Sequence, residues 1–264
     1  MQGVSGSNPL GSIRFSKEKL NMKCAIMQPS FIPWPGWFSL LIDSDYFIIL
    51  DDVQFSKQSW HQRNYIKNPK GELNLLTLPV ETKNKNKPLI REVKLAQSFN
   101  SNKILRTITQ YYSKSPNFIN VFKILEENLK DNHKNFLVNL NINIIKAIIE
   151  YLKIENKKII LSSEINTSGY RGEYVSNLCN EIGGKVYLSP YGSYEYLKED
   201  IDYFSGISIF FQRYKMPIYD RYKSSTDYPC SIIDLLFNQP KSSLINIIQS
   251  NRMTYLPFEE VKIK

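Results

Sequence analysis

Residues 24–38 read CAIMQPSFIPWPGWF, and residues 45–64 read DYFIILDDVQFSKQSWHQRN. The first stretch predicts an apolar strand, a turn rich in Pro and Gly, and a short apolar helix. The second predicts another apolar strand that ends on two carboxylates, Asp51 and Asp52, and then a polar stretch. Ligands of parallel α/β sheets bind outside the carboxyl ends of the strands. Since both polar stretches follow such ends, we expect the functional site there.

The rest of the chain predicts an α/β fold with a mostly parallel sheet, flanking helices and a helical region in the middle, at about residues 100–153. Apolar residues at helical spacing indicate three helices in that region, which begin near Ile104, Phe118 and Leu137. Further strands are predicted at 71–80, 158–162, 185–189 and 207–212, and further helices at 171–182, 231–237 and 241–248.

The amino-acid composition indicates a large core and limits the kinds of partner that the protein is expected to bind. The chain has 264 residues, of which 42% are hydrophobic, enough to build a large core. Its net charge of +9 favours anionic partners such as nucleotide phosphates, nucleic acid or anionic lipid, although a solvated basic surface would carry the same charge. The three cysteines form no CxxC pair, which is typical of free thiols in a cytoplasmic protein.

The beginning of the chain lacks the apolar core of a signal peptide, and Met22 opens directly into the first predicted strand. We interpret residues 1–21 as a disordered leader or tag and residues 22–264 as one α/β domain. No apolar stretch reaches the ~18 residues of a membrane span. No HExxH, paired-Cys or EF-hand spacing is present, so the sequence predicts no metal site.

Seven short segments together resemble a known family. They are MQP at 27–29, PG at 35–36, DDVQF at 51–55, Trp60 with Arg63-Asn64, SE at 163–164, YLS at 187–189, and a late block with PIY at 217–219 and SIIDLLF at 231–237. In this order they resemble the WbqC-like protein family, over nearly the whole chain from Met22. Members of that family sit among genes for O-antigen and other surface polysaccharides, and a glycine or aminoacyl transferase role has been proposed for some. The resemblance implies a pathway more firmly than a reaction.

The first strand, turn and helix also look like the start of the nucleotidyltransferase and pantothenate-synthetase class, in which a second strand ends near a Gln-Phe pair. Gln54 and the following Phe fit that pattern, but the turn holds Gly36 and Trp37 in place of the histidines of that class. Their absence argues against ATP-dependent adenylation. We expect this turn, together with Gln28, to bind substrate through free N–H groups at a helix start. The alternative is a buried turn packed by Trp and Pro.

The neighbouring carboxylates Asp51 and Asp52 are expected to point in different directions and to have different roles. Neighbouring side chains of an extended strand point to opposite faces, so Asp51 and Asp52 cannot both face one ligand while the strand continues. We assign Asp52 as a candidate general base, because it is closer along the chain to Gln54 and to the polar stretch, and Asp51 as a substrate contact. The alternative is that both cap the following turn.

The polar stretch combines a stacking surface with cations. Trp60 would stack on a sugar or base, and Lys57, Arg63 and Asn64 would bind phosphate or hydroxyl groups. His61 is one of two histidines and is the natural candidate for proton transfer. The alternative is a basic surface strand. Hydroxyl residues after another strand would form a second half of the site: Ser189, Tyr191 and Tyr196.

With the implied pathway, these residues suggest a group transferase that moves an acyl or aminoacyl group, for example glycyl, to a nucleotide-linked amino sugar. The donor would be an aminoacyl-tRNA or an acyl-CoA, between which the sequence does not choose, and no cofactor is predicted. The first alternative is a non-catalytic nucleotide-sugar-binding or assembly protein of the same pathway. The second is a nucleic-acid binder, which the basic charge alone supports.

Overall fold

The computed structural model describes residues 21–81, 87–130, 135–219 and 230–261. The predicted leader, except its last residue, lies outside the described residues. Ten strands are formed by the described residues: β1 (Lys23–Met27), β2 (Tyr46–Ile49), β3 (Arg63–Lys67), β4 (Leu73–Thr77), β5 (Val80–Glu81), β6 (Lys94–Leu95), β7 (Lys158–Leu161), β8 (Val186–Pro190), β9 (Ser208–Tyr214) and β10 (Arg252–Pro257). Eight α-helices accompany them: α1 (Pro35–Asp43), α2 (Ser101–Tyr112), α3 (Phe118–Lys130), α4 (Leu137–Leu152), α5 (Gly172–Glu181), α6 (Tyr194–Glu199), α7 (Ile232–Asn238) and α8 (Leu244–Ser250).

The central sheet has the strand order β10-β9-β8-β1-β2-β7. Each neighbouring pair from β9 to β7 is parallel, and β10 is antiparallel to β9. Numbered by their sequence within this sheet, the strands follow the order 3-2-1-4-5-6 of doubly wound α/β sheets. The order reverses between β1 and β8, and such sheets bind their ligands in the crevice at that point. The predicted α/β fold with a mostly parallel sheet is confirmed.

Strands β1 and β2 form because their residues are apolar on both faces. All four residues of β2 are buried, as expected for an inner parallel strand covered on both sides. Alternate residues of β1 enter different cores: Ala25 packs in one, and Cys24 and Ile26 pack in the other. Helix α1 begins at Pro35, where the fixed φ of proline suits the first turn of a helix.

Helices cover both faces of the sheet. The larger core lies on one face and contains the apolar sides of α1, α2, α3, α4, α7 and α8. The smaller core lies on the other face and contains buried residues of α5 and α6. The predicted helical region is therefore present as α2, α3 and α4, and it belongs to the same core as α1.

The chain between β2 and α2 adds two antiparallel ribbons, β3 with β4 and β5 with β6. The ribbon of β3 and β4 begins at Arg63, directly after the polar stretch that follows β2. No helix in the part of the chain that the structure describes is long and apolar enough to cross a membrane.

Candidate functional site

A cavity of about 550 Å³ opens at the reversal point of the sheet. It lies at the carboxyl ends of β1, β2 and β8, the place where doubly wound sheets bind ligands. Four aromatic residues contribute to its walls: Trp34, Trp60, Tyr187 and Tyr196. Six polar residues line it as well: Gln28, Ser30, Ser59, His61, Asn64 and Ser193. Its volume falls in the range of small-molecule sites, about 300–1,000 Å³.

His61 is the centre of a hydrogen-bonded chain in this cavity. Its Nε2 lies 2.8 Å from Oε1 of Gln28, the residue that follows β1. Its Nδ1 lies 2.8 Å from Oγ of Ser59. Because the Gln28 oxygen only accepts hydrogen bonds, the ring proton sits on Nε2 and Nδ1 accepts from the Ser59 hydroxyl.

The imidazole of His61 is neutral at neutral pH. Its side chain is buried, and burial lowers its pKa from 6.5 to about 4, since the charged form loses solvation. The groups around it are uncharged: Gln28, Ser59 and the ring of Phe55 at 5.6 Å. A neutral ring can accept a proton at Nδ1, where its lone pair already accepts the hydrogen bond of the Ser59 hydroxyl.

The turn after β1 is bound to the His61 segment by three hydrogen bonds. Nδ2 of the buried Asn64 donates to the carbonyls of Phe31 at 3.1 Å and Ile32 at 2.8 Å. The Phe31 amide donates to the Trp60 carbonyl at 2.8 Å. Ile32 has a φ of 43°, a costly conformation for a β-branched residue. Asn64 therefore contributes to the site by holding this turn in place.

Helix α4 reaches the site through Asn141. Its Nδ2 donates to the Pro29 carbonyl at 2.9 Å and to the His61 carbonyl at 2.7 Å. Asn141 is fully buried, and within the described residues its Oδ1 has no hydrogen-bond partner. The helical region in the middle of the chain thus fixes the two segments that carry Gln28 and His61.

With this geometry in place, comparison with known proteins identifies the family. A model of the WbqC-like protein family matches residues 28–245. The chain belongs to the WbqC-like protein family. The match begins at Gln28, so every segment that lines the cavity beyond the end of β1 lies inside it. The WbqC-like chain is also similar to the uncharacterized protein Rv1507c of Mycobacterium tuberculosis (strain ATCC 25618 / H37Rv). The two are 31% identical over 220 residues, which cover 82% of this chain and 93% of that protein. No solved structure matches the chain.

Other residues predicted for the site of this WbqC-like protein lie behind the cavity. Trp37 is fully buried, and its Nε1 donates to the Gln28 carbonyl at 3.3 Å. Gly36 is also buried, and a Cβ on it would overlap the ring of Trp34, which lines the cavity. Both positions support the turn and the cavity wall, and neither lines the cavity.

Asp51 binds the loop after β7. Its carboxylate accepts from the Ser162 hydroxyl at 3.0 Å, the Ser163 hydroxyl at 2.8 Å and the Ser163 amide at 3.0 Å. Asp51 is buried, so these three bonds replace the water that its carboxylate has lost. It does not line the cavity.

Asp52 lies just past the end of β2 and, like Asp51, faces the Ser162 hydroxyl, so the two carboxylates do not point to opposite sides as expected. It accepts from the Ser162 hydroxyl and, at 2.7 Å, from the hydroxyl of Tyr174 in α5. Burial and this hydrogen bond to Asp52 raise the pKa of Tyr174. The cavity wall at this strand end is formed by Leu50 and not by Asp52. The structure thus brings His61 to the cavity but does not bring Asp52 there.

Of the predicted hydroxyl-bearing residues after β8, one lines the cavity and two do not. Tyr196 lines the cavity, and burial raises its pKa. Ser189 is buried behind it and hydrogen-bonds the Ser193 hydroxyl, which is itself part of the wall. Tyr191 is exposed and does not line the cavity.

Three more of the predicted site residues, two of them cations, lie outside the cavity. Lys57 and Gln54 are exposed on the loop between β2 and β3, and Arg63 is half-buried at the start of β3. Gln54 forms an isolated bridge with Leu89, so its backbone contributes to the fold. Among the described residues, no group of three His, Cys, Asp or Glu side chains could hold a metal ion.

Sequence reasoning missed Ser59 and Asn141. Ser59 stands two residues before His61, a spacing too common to indicate a hydrogen bond by itself. Asn141 gave a stronger signal, since it lies four residues after Leu137 on the buried stripe of α4. An amide at such a position needs hydrogen-bond partners in the core, and here the partners belong to the site.

Proposed function

We propose that this WbqC-like protein is a transferase that moves an acyl or aminoacyl group, for example glycyl, to the amine of a nucleotide-linked amino sugar. The pathway we infer is the assembly of O-antigen or another surface polysaccharide. The observation that carries this proposal is the aromatic cavity at the reversal point of the sheet, which holds a buried neutral His61 between Gln28 and Ser59.

The cavity suits a nucleotide-linked sugar in its chemistry. Aromatic faces such as those of Trp34 and Trp60 stack on sugars and bases, and Trp60 is 50% exposed at the cavity wall. The polar groups between them, Gln28 and Ser193 among them, offer donors and acceptors for sugar hydroxyls. The net charge of +9 attracts a diphosphate to the protein.

Acyl transfer to an amine needs a base, because the attacking nitrogen loses a proton as the amide forms. His61 is the base in this proposal, since it is neutral at physiological pH and lines the cavity. Asn141 and Asn64 hold the backbone around it, so the ring is fixed before substrate binds. An activated ester or thioester, as in aminoacyl-tRNA or acyl-CoA, supplies the acyl group.

One observation favours the non-catalytic alternative. The four polar atoms that form the Gln28–His61–Ser59 chain are bonded to one another, and a pKa of about 4 makes His61 a weak base. A protein that only binds the nucleotide sugar would use the same aromatic walls. Transfer of a labelled acyl group to the sugar amine separates the two functions.

The first experiment is calorimetric titration with UDP-linked and dTDP-linked amino sugars and with the corresponding hydroxy sugars. We expect the amino sugars to bind, and Trp60→Ala to weaken binding roughly tenfold, the loss of about 1.4 kcal/mol of stacking. Tyr203→Ala is the matched control, since Tyr203 is 52% exposed and does not line the cavity. Absence of binding by every nucleotide sugar would refute the proposed function.

A further inference from the structure

Ser59 is the member of the hydrogen-bonded chain whose hydroxyl a neighbouring base can activate as a nucleophile. Its hydroxyl donates to Nδ1 of His61 at 2.8 Å, and His61 in turn donates from Nε2 to Gln28 at 2.8 Å. A hydroxyl bonded to a base, with the base oriented by a third group, is the arrangement by which enzymes activate serine. All three residues line the same cavity.

We propose that Ser59 is a nucleophile that carries the acyl group as an ester between donor and acceptor, with His61 as its base. This inference rests on the proposed function, because it assigns a covalent intermediate to that transfer. Ser59 is half-buried at the cavity wall, so its hydroxyl is reachable from the cavity while it remains bonded to His61.

The acyl group is transferred in two steps. In the first step Oγ of Ser59 attacks the carbonyl carbon of an ester or thioester, and its proton passes to Nδ1 of His61. The bond to the leaving oxygen or sulfur breaks, and the leaving group takes that proton. In the second step the sugar amine attacks the Ser59 ester, its proton passes to His61, and Oγ leaves and recovers the proton. The products are an amide, the free carrier and unchanged protein.

Helix α4 and the turn after β1 both form hydrogen bonds to the segment that carries Ser59 and His61. The His61 carbonyl is fixed by Asn141 of α4, and the Trp60 carbonyl is fixed by the Phe31 amide. The backbone between Ser59 and His61 is therefore held in place by hydrogen bonds to two other segments. Gln28 also lines the cavity and brings an amide N–H group able to stabilise negative charge on the attacked carbonyl.

The test is acylation of the full chain by p-nitrophenyl acetate, an activated ester, and by acetyl-CoA, a thioester. After an acid quench, mass spectrometry and peptide mapping are expected to find one acetyl group on Ser59. Hydroxylamine should remove it, because it cleaves esters and leaves acetyl-lysine amides intact. The two reagents separate an ester donor from a thioester donor, and acylation by either supports the nucleophile.

Variants test whether Ser59 and His61 together are responsible for the acetyl label. Ser59→Ala should abolish the hydroxylamine-sensitive label, and His61→Asn should slow its formation by about 10²-fold or more. Ser56→Ala is the control, since Ser56 is an exposed serine of the same loop. Ser59→Cys should still be acylated, now as a thioester, which guards against loss of the label through misfolding.

Gln28 is a positioning residue in this scheme, and a pH profile tests it. In Gln28→Glu a carboxylate accepts from Nε2 and raises the pKa of His61. The acidic limb of the acylation rate should therefore move upward by about one pH unit or more. A Gln28 that only supports the fold would lower the rate without moving that limb.

The two proposals fail in different ways. If no ester forms on Ser59, or if Ser59→Ala transfers an acyl group as well as wild type, Ser59 is not the nucleophile. Transfer by Ser59→Ala would at the same time leave the proposed function standing. If Ser59 is acylated but no nucleotide amino sugar binds or accepts the group, the nucleophile stands and the proposed acceptor is wrong.

Discussion

His61 couples the protonation of the site to the stability of the fold. Burial lowers its pKa to about 4, whereas in the unfolded chain it returns to its ordinary value of 6.5. The unfolded state therefore binds the extra proton first as the pH falls, so His61 contributes stability above pH 6.5 that is lost between pH 6.5 and about 4. A difference of 2.5 pKa units corresponds to about 3 kcal/mol.

This loss can be measured by urea unfolding at pH 7 and pH 4. Wild type should lose about 3 kcal/mol more than His61→Asn between these values, because the variant has no imidazole to protonate. Carboxylates titrate in the same range, but they contribute equally to both proteins. Parallel losses in the two proteins would show that His61 is accessible to solvent and keeps its ordinary pKa.

Asp51 and Asp52 should respond differently to the same substitution. Asp51→Asn replaces a buried carboxylate that accepts three hydrogen bonds with an amide that has one acceptor oxygen. We expect it to cost on the order of 2 kcal/mol of unfolding free energy. Asp52→Asn keeps an oxygen for Tyr174 on a half-exposed side chain, and should cost less than about 1 kcal/mol. Urea unfolding of both variants decides this, and equal losses would contradict the unequal burial of the two carboxylates.

At the scale of the elements, helix α4 is a part of the site as well as of the core. Asn141→Ala removes both hydrogen bonds that fix the Pro29 and His61 carbonyls and leaves them unpaired in the interior. We expect a loss of about 2 kcal/mol in unfolding free energy and a roughly tenfold weaker binding of the nucleotide amino sugar. Urea unfolding and calorimetry measure the two effects.

Asn139→Ala is the matched control on the same helix, because Asn139 is exposed. Its unfolding free energy should stay within about 0.5 kcal/mol of wild type and its ligand affinity should not change. If Asn141→Ala loses stability but binds ligand normally, α4 supports the fold and not the geometry of the cavity.

Most of the elements that the sequence predicts lie in the interior; the strand expected at 71–80 is an exception, since it is divided into β4 and β5 and both are only partly buried. Strands such as β2 and β8 are apolar runs because both faces are covered, and α4 carries a clear buried stripe. Strand β10 was missed because it lies at the edge of the sheet, half-exposed, and its sequence RMTYLP lacks a regular alternation. Helix α6 was missed because six residues are too few to show a helical period.

The sequence predicts that the site lies at the carboxyl ends of the strands, but it does not predict which side chains contact one another there. The carboxyl ends of β1 and β2 follow from the apolar runs, and with them the neighbourhood of Gln28 and His61. The sequence does not indicate the hydrogen-bond partners of His61. Gln28 lies 33 residues away along the chain and comes close to His61 only because β1 and β2 are neighbours in the sheet. Nor does the sequence indicate the contact of Asn141, which approaches from a helix 80 residues further along the chain.

At the scale of the whole molecule, the sheet and the helical region share one core, and this predicts their cooperativity. Residues of β1, β2 and α1 pack in the same buried cluster as residues of α2, α3 and α4. A chain of 264 residues often unfolds in stages, but a continuous core couples its parts. We therefore expect the site and the helical region to unfold together.

The three tryptophans make this testable, because Trp34, Trp37 and Trp60 all lie in or directly behind the cavity. Their fluorescence reports the site, whereas far-UV circular dichroism reports mainly the helices. The two urea transitions should have the same midpoint, and Asn141→Ala should lower both midpoints by the same amount, since it breaks a link between α4 and the site. A fluorescence transition at lower urea than the dichroism transition would mean that the site opens while the helical region stays folded. In that case the hydrogen bonds of Asn141 would be too weak to join α4 to the His61 segment, and the ring would not be fixed before substrate binds.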